Sequence, residues 1–109
     1  MNDTEKIAQL NDLCRTAMGI AGRLVQTRGI CALPQEDQSA IREKVETFSD
    51  FTEDNDPYGE RDFGAFTHKG HKIFWKIDCY DTTLTKGSED PADPKQTCRV
   101  LTILLAEEG

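Results

Sequence analysis

The sequence lacks every segment that would direct the chain into or across a membrane. Its polar start, MNDTEKIAQL, has no basic region followed by an apolar one, and no apolar run approaches the length of a membrane span. The four cysteines include no Cys-x-x-Cys pair, so a disulfide framework is not predicted. These absences predict a cytoplasmic protein with reduced thiols and no membrane partner.

Basic residues are also scarce, since 13 Lys and Arg face 20 Asp and Glu and leave a net charge of −7. A protein held on nucleic acid by phosphate neutralisation needs clustered Lys and Arg, so no direct nucleic-acid contact is expected. A protein partner with a basic surface fits this charge better. At 109 residues the chain is predicted to form a single domain over 1–109.

Signatures of enzymes are missing as well. The sequence contains no nucleophile motif, no glycine-rich phosphate loop and no cofactor fingerprint. We therefore predict no catalytic residue and no cofactor, and an enzyme is the less favoured class of protein.

A β-hairpin is predicted over 63–81, FGAFTHKGHKIFWKIDCYD, because β-branched and aromatic residues flank the turn Lys69-Gly70. One face of its second strand is uniformly apolar and is predicted to be core: Ile73, Trp75, Ile77 and Cys79. The opposite face is amphipathic, and is either partly covered by a helix or used for contact: Lys72, Phe74, Lys76, Asp78 and Tyr80.

The spacing of apolar residues, together with the positions of glycine and proline, predicts the remaining helices and strands. Helices are predicted over 2–18 and 34–48, and strands over 23–33 and 98–106. The last strand hardly alternates, so we expect it to be central and covered on both faces. The order α-β-α-β-β-β predicts an α+β fold, an antiparallel sheet of about four strands with two helices packed against it.

Negative charge concentrates on two loops. Six carboxylates lie in the segment 50–62, called the acidic loop below, and a second loop over 82–96 carries Asp-Pro steps. We predict that these loops bind a partner through Asp54, Asp56, Tyr58, Glu60, Asp62, Asp81, Glu89, Asp90 and Asp93.

Three other constellations are interpreted as structural. The acids from Asp54 onward partly follow a calcium-loop spacing, but Tyr58 and Ala65 occupy two ligand places, so no metal site is predicted. His68 and His71 flank the hairpin turn and are expected to be exposed. Asp78 and Asp81 form a second acidic patch, which is expected to make a salt bridge, for instance with Arg99.

Four motifs carry a resemblance: NDPYGERDFG at 55–64, WKIDCYD at 75–81, DPADP at 90–94 and RVLTI at 99–103. Together they resemble a family of small, functionally uncharacterised bacterial proteins, a domain of unknown function often found on plasmids, prophages and other mobile elements. The resemblance covers 13–107 and assigns no catalytic residue. It implies a setting in which proteins of this size inhibit host defence or serve as accessory binding proteins.

These observations favour a non-enzymatic binding protein whose acidic loop docks on a basic partner surface, with carboxylates in place of phosphates. A candidate role is inhibition of a host defence nuclease complex, of the anti-CRISPR or anti-restriction type. The alternative is a small metal-dependent hydrolase that uses the carboxylates Asp54, Asp56, Glu60 and Asp62. A third hypothesis is a homodimer formed through Phe74, Tyr80 or an exposed sheet edge.

Overall fold

The computed structural model describes residues 2–109, in which helices and strands alternate and then give way to a β-hairpin. The elements in chain order are α1 (Asp3–Thr16), β1 (Arg23–Gln26), α2 (Arg28–Cys31), α3 (Gln35–Glu46), β2 (Phe63–His68), β3 (His71–Tyr80), β4 (Cys98–Leu105) and a 3₁₀-helix (Ala106–Glu108). The α+β class is confirmed.

The four strands form one mixed sheet in the order β1-β4-β3-β2. The hairpin β2–β3 and the pair β3–β4 are antiparallel, whereas β1 runs parallel to β4 with Arg23 beside Val100. The prediction of an antiparallel sheet with two helices was therefore wrong in two respects: the sheet is mixed, and there are three α-helices. Residue alternation reports which face a side chain occupies, but it says nothing about strand direction.

The third helix arises inside the segment predicted as one strand over 23–33. β1 ends at Gln26, the Thr27 N–H donates to the Ile103 carbonyl at 3.1 Å, and the chain then turns into α2. A Cβ on Gly29 would lie 2.7 Å from the carboxylate carbon of Glu108, so this glycine marks the close approach of another segment. Ile30, the central apolar residue of this segment, is completely buried in the core.

Helix α1 presents a partly polar face to the core. The Asn2 side chain caps its first turn by accepting from the Glu5 N–H at 2.8 Å. Leu13, however, is 51% exposed, and Arg15 is buried and donates to the carbonyls of Val45, Glu46 and Phe48. Carbonyls at the end of a helix have few partners of their own, so Arg15 Nη1 ties the end of α3 to α1, while Arg15 Nε is buried without a hydrogen bond. The buried residues of α1 are Ala8, Asn11, Cys14 and Arg15.

The hairpin forms as predicted, with a turn at Lys69-Gly70 and a core on one side of β3. Trp75 is completely buried, and Phe51 packs edge-on against it with ring centroids 6.1 Å apart. Burial raises the pKa of the Cys14 thiol to about 11, as expected of an inert core cysteine. All four cysteines are free thiols.

Strand β4 is central, as predicted, but it is covered on one face only. Leu101, Ile103 and Leu105 are buried, whereas the alternate positions Val100 and Leu104 are half-buried. The buried side chains of all three helices lie in one cluster with Ile73 and Trp75 of β3, on the same side of the sheet. The opposite side, called the outer sheet face below, carries no helix within residues 2–109.

No helix in the described part of the chain is both long enough and apolar enough to cross a membrane.

Candidate functional site

The acidic loop connects α3 to β2 and is folded by its own hydrogen bonds. The Thr52 N–H donates to the Asn55 side chain at 2.8 Å, the Asn55 amide donates to the Asp50 carbonyl at 2.8 Å, and the Asp56 N–H donates to the Thr52 carbonyl at 2.8 Å. Gly59, with a φ of 70°, supplies the left-handed turn that follows. The loop therefore has a defined shape and presents its side chains in fixed positions.

The single basic residue of the loop, Arg61, is directed away from its carboxylates. Its own backbone is left-handed, with a φ of 51°, and its guanidinium contacts Asp12 on α1 through Nε at 3.0 Å and Nη2 at 2.7 Å. Consequently none of the six carboxylates of the acidic loop forms an ion pair within residues 2–109. The loop is therefore negatively charged and forms no internal ion pair, although Arg99 partly opposes the rise in the pKa of Glu60.

Half of the loop is fully presented to solvent. The side chains of Glu53 and Asp54 are exposed, and Tyr58 of the same loop is 81% exposed. Asp56 is half-buried and accepts the Arg61 N–H at 3.0 Å, so it helps to fold the loop. The exposed part therefore combines uncompensated charge with a large aromatic side chain.

The other half of the loop enters a shallow groove of about 240 Å³. Glu60 and Asp62 converge there with Asp78 of β3, and Asn11 and Pro91 form part of the wall. Burial raises the pKa of Glu60 and of Asp62. Neighbouring acids add to both shifts, which shows that the carboxylates repel one another at this site.

Asn11 connects the groove to the rest of the fold. Its amide donates to the Glu60 carbonyl at 3.0 Å, and its carbonyl oxygen accepts from Arg99 Nε at 2.8 Å. Arg99 also donates to the Pro91 carbonyl of the second loop. The predicted salt bridge between Arg99 and the second acidic patch was wrong, because the buried guanidinium is satisfied by these neutral partners and Asp78 pairs with Lys76 at 3.0 Å.

The sequence interpretation missed two residues that shape this site, Asn11 and Asp12. Both lie in the middle of α1, where an amphipathic pattern predicts only packing. The available signal was that Asn11 lies three residues before Cys14 and so shares its buried face. A polar side chain on such a face is normally hydrogen-bonded, and that of Asn11 donates to the Glu60 carbonyl of the acidic loop.

The carboxylates of the second loop are used within that loop. Asp81 accepts from Thr85 N–H at 3.0 Å and from the Thr83 hydroxyl at 3.0 Å, and Asp93 accepts from Lys95 N–H at 2.9 Å. The hydrogen bonds to Asp81, led by that from Thr85 N–H, lower its pKa, and a hydrogen bond from the Gln96 side chain at 2.8 Å, with that from Lys95 N–H, lowers the pKa of Asp93. The two other predicted binding residues of this loop are also bonded within it. Glu89 forms an ion pair with Lys86 at 3.4 Å, and Asp90 accepts from the Ala92 N–H at 3.3 Å.

The two hairpin histidines differ, which corrects the expectation that both are exposed. His71 is exposed, but His68 is buried, with Nε2 2.9 Å from an Asp37 carboxylate oxygen and Nδ1 3.1 Å from Lys44 Nζ. A carboxylate only accepts and an ammonium only donates, so the ring donates from Nε2 and accepts at Nδ1. The hydrogen bond from His68, with one from Lys69, lowers the pKa of Asp37.

Within residues 2–109 no three His, Cys, Asp or Glu side chains are placed to share one metal ion. The calcium-like spacing that begins at Asp54 spreads its acids between the exposed rim and the groove, with Asp56 bonded to the backbone. The metal-dependent hydrolase remains a hypothesis from the sequence, and no geometric observation favours it.

The fold and site define an acidic α+β domain with helices on one side of a mixed sheet and an uncompensated acidic loop at one end. Residues 26–108 match the family described as "Protein of unknown function (DUF3768)", and the chain belongs to that family. The resemblance to a domain of unknown function is thereby confirmed. Comparison with curated proteins and with solved structures gives no match.

Proposed function

We propose that this protein is a non-enzymatic, cytoplasmic binding protein whose acidic loop docks on a basic surface of a partner protein. The observation that carries the proposal is the pairing of Arg61 with Asp12, which leaves the carboxylates of the loop without an ion pair in residues 2–109. A lysine or arginine from a partner would supply the missing charge.

The electrostatics of the groove support this proposal. Ionised Glu60 and Asp62 lie partly out of water and near other acids, which is unfavourable in the free protein. A cation that enters the groove relieves that repulsion, so part of the binding free energy is already stored in the site. Charge presented on a fixed loop also accelerates association with a partner of opposite sign.

Tyr58 supplies the second component of a binding surface. Aromatic side chains that combine large area with a polar hydroxyl are enriched among the residues that contribute most to protein interfaces. Because the Tyr58 side chain is 81% exposed, it adds little to the stability of its own chain. We therefore assign Tyr58 as the anchor and the exposed carboxylates of the same loop as the steering charge.

For the partner, we propose a nucleic-acid-handling protein whose phosphate-binding surface accepts the carboxylates instead. The mobile-element setting implied by the sequence motifs makes a host defence nuclease complex the candidate target, and this chain its inhibitor. The net charge of −7 suits a competitor for such a surface.

The test is affinity capture from a lysate of the native host, followed by mass spectrometry, with the full chain immobilised. The informative variant is the double substitution Glu53→Lys with Asp54→Lys, because both side chains are exposed and make no hydrogen bond that folds the loop. A matched control carries Glu36→Lys with Glu43→Lys, the same change of charge on exposed positions of α3.

We expect the wild type and the control to capture the same basic protein at low salt, and the loop variant to capture at least about tenfold less. Raising the salt concentration should release the partner. Equal capture by the loop variant, or capture that does not respond to salt, would overturn the proposal.

A further inference from the structure

The outer sheet face carries several large apolar side chains although no helix in residues 2–109 covers it, together with the charged residues Arg23, Lys72, Lys76 and Asp78. It holds Val25, Phe63, Phe74, Tyr80, Val100 and Leu104. The Phe63 and Phe74 rings are in contact at a tilt of 57° with centroids 5.3 Å apart, and the Lys72 ammonium lies 5.6 Å from the centre of the Phe74 ring. The open face of an antiparallel sheet is normally polar, and a contiguous apolar patch on a surface marks a site of association.

We propose that this face binds the same face of a second copy of the chain. The two-fold axis lies between the two sheets, crosses the strands at right angles and passes beside position 77 of β3. This surface shares Asp78 with the groove of the acidic loop, but self-association is measured without the partner, so the inference does not depend on the proposed function.

The residues along β3 are self-complementary about that axis. A rotation that exchanges positions equally distant from 77 places Lys76 opposite Asp78 of the second copy, and Phe74 opposite Tyr80. Lys76 and Asp78 already lie 3.0 Å apart within one chain, so both charges sit at the centre of the face and can exchange partners across it. Isologous interfaces require this kind of matching, in which each residue meets its complement twice.

The neighbouring strand β4 fits the same axis. Its residues Thr102 and Val100 lie beside positions 76 and 78 of β3, and Leu104 and Cys98 lie beside positions 74 and 80. The rotation therefore sets Val100 against Thr102 of the second copy and Leu104 against Cys98. No like charges meet along these two central strands.

The size of the face limits the strength of the dimer. Its four strands contain 4, 6, 10 and 8 residues. The rotation sets β1, β3 and β4 against each other and leaves β2 outside the contact, because β2 lies wholly on one side of the axis. With strands about 4.8 Å apart and a rise of about 3.3 Å per residue, each copy contributes roughly 350 Å². Two copies would bury roughly 700 Å², less than the about 1,000 Å² of a stable specific interface, so we expect a weak dimer that dissociates on dilution.

The test is sedimentation velocity of the full chain over a wide range of protein concentration, with two single variants of opposite charge. Lys76→Asp makes the centre of the face acidic, and Asp78→Lys makes it basic. Each should weaken self-association at least about tenfold, because two attractive contacts in the dimer become repulsive. Mixing the two variants should restore a dimer that contains one chain of each, since every acidic position then meets a basic one.

Glu43→Lys, an equal change of charge on the exposed side of α3, is the control and should sediment as the wild type does. Thermal unfolding of each variant verifies its fold, and Phe74→Ser gives an independent disruption should a charge variant fail to fold. The proposal is overturned by a wild type that stays at 12.2 kDa throughout, by variants that still self-associate, or by a mixture that stays monomeric. Binding of single-stranded nucleic acid or of another protein at Phe74 in place of self-association would also overturn it.

Discussion

Arg61 Nη2 lies 2.7 Å from Asp12 Oδ2, across 49 positions of sequence. This pair removes the only cation of the acidic loop from its carboxylates and fixes the end of the loop on α1. Both side chains are about one-third exposed, so the bond itself adds little to stability. Its consequence is electrostatic, because the loop stays negative.

The first prediction concerns this pair. In Asp12→Asn the guanidinium of Arg61 is free to turn towards the loop, so affinity for an arginine-rich peptide should fall about two- to fivefold. Unfolding free energy should fall by about 0.5 kcal/mol. Fluorescence anisotropy measures the first and urea unfolding the second. Asp3→Asn, the same change on an exposed position of α1, is the control, and equal binding by the two variants would contradict the prediction.

The second prediction follows from the raised pKa of Asp62. A carboxyl whose pKa is higher in the folded protein costs stability while it is ionised, so Asp62→Asn should gain about 0.5 kcal/mol at neutral pH. The gain should disappear as the pH falls through the raised pKa towards the ordinary value of 3.8, because wild-type Asp62 is then protonated.

Urea unfolding at a series of pH values from neutral downward measures this effect. Asp81→Asn is the matched control with the opposite sign, because hydrogen bonds lower the pKa of Asp81. That variant should lose stability at neutral pH, and the loss should shrink in acid. A destabilised Asp62→Asn variant would show that the groove compensates the charge of Asp62.

The third prediction separates binding from folding at Tyr58. Because the ring is exposed, Tyr58→Ala should change the free energy of unfolding by less than about 0.5 kcal/mol. Affinity for the captured partner should fall at least about tenfold if Tyr58 is the anchor. Leu84→Ala, at an exposed apolar residue of the second loop, should leave that affinity unchanged. Equal loss in both variants would argue against an anchor at Tyr58.

The fourth prediction concerns the core beneath the hairpin. A Cβ on Gly64 would lie 2.6 Å from Cε2 of the buried Trp75 ring, so Gly64→Ala should cost about 2–3 kcal/mol. In the control Gly87→Ala, the nearest atom to the new Cβ is 4.0 Å away, and little change is expected. Urea unfolding of both variants provides the comparison, and a stable Gly64→Ala variant would mean that Trp75 can shift.

The fifth prediction compares the two hairpin histidines. His68→Ala removes the hydrogen bonds from the ring to Asp37 and Lys44, leaving Lys69 as the partner of Asp37, and should lower the free energy of unfolding by about 1–3 kcal/mol. His71→Ala should be neutral, because that side chain is exposed on the other side of the turn. Thermal and urea unfolding measure both, and similar stability of the two variants would contradict a structural role for His68.

The hairpin shows which features can be predicted from local sequence patterns and which cannot. Alternation in β3 correctly placed Ile73, Trp75 and Ile77 in the core, and Lys69-Gly70 correctly marked the turn. The same reasoning was wrong for His68, because a residue beside a turn is usually exposed. Only the position of α3, with Asp37 and Lys44 above the hairpin, makes that histidine a buried partner.

By itself the sequence determined the elements that depend on local periodicity, and it placed the carboxylates of the acidic loop between α3 and the hairpin. Tertiary structure alone decided the parallel direction of β1, the burial of Asn11 and Arg15 on α1, and the partner of Arg61. The reason is physical: spacing along the chain reports which residues share a face, whereas the partner of a charged or polar group is chosen by whatever distant segment packs beside it.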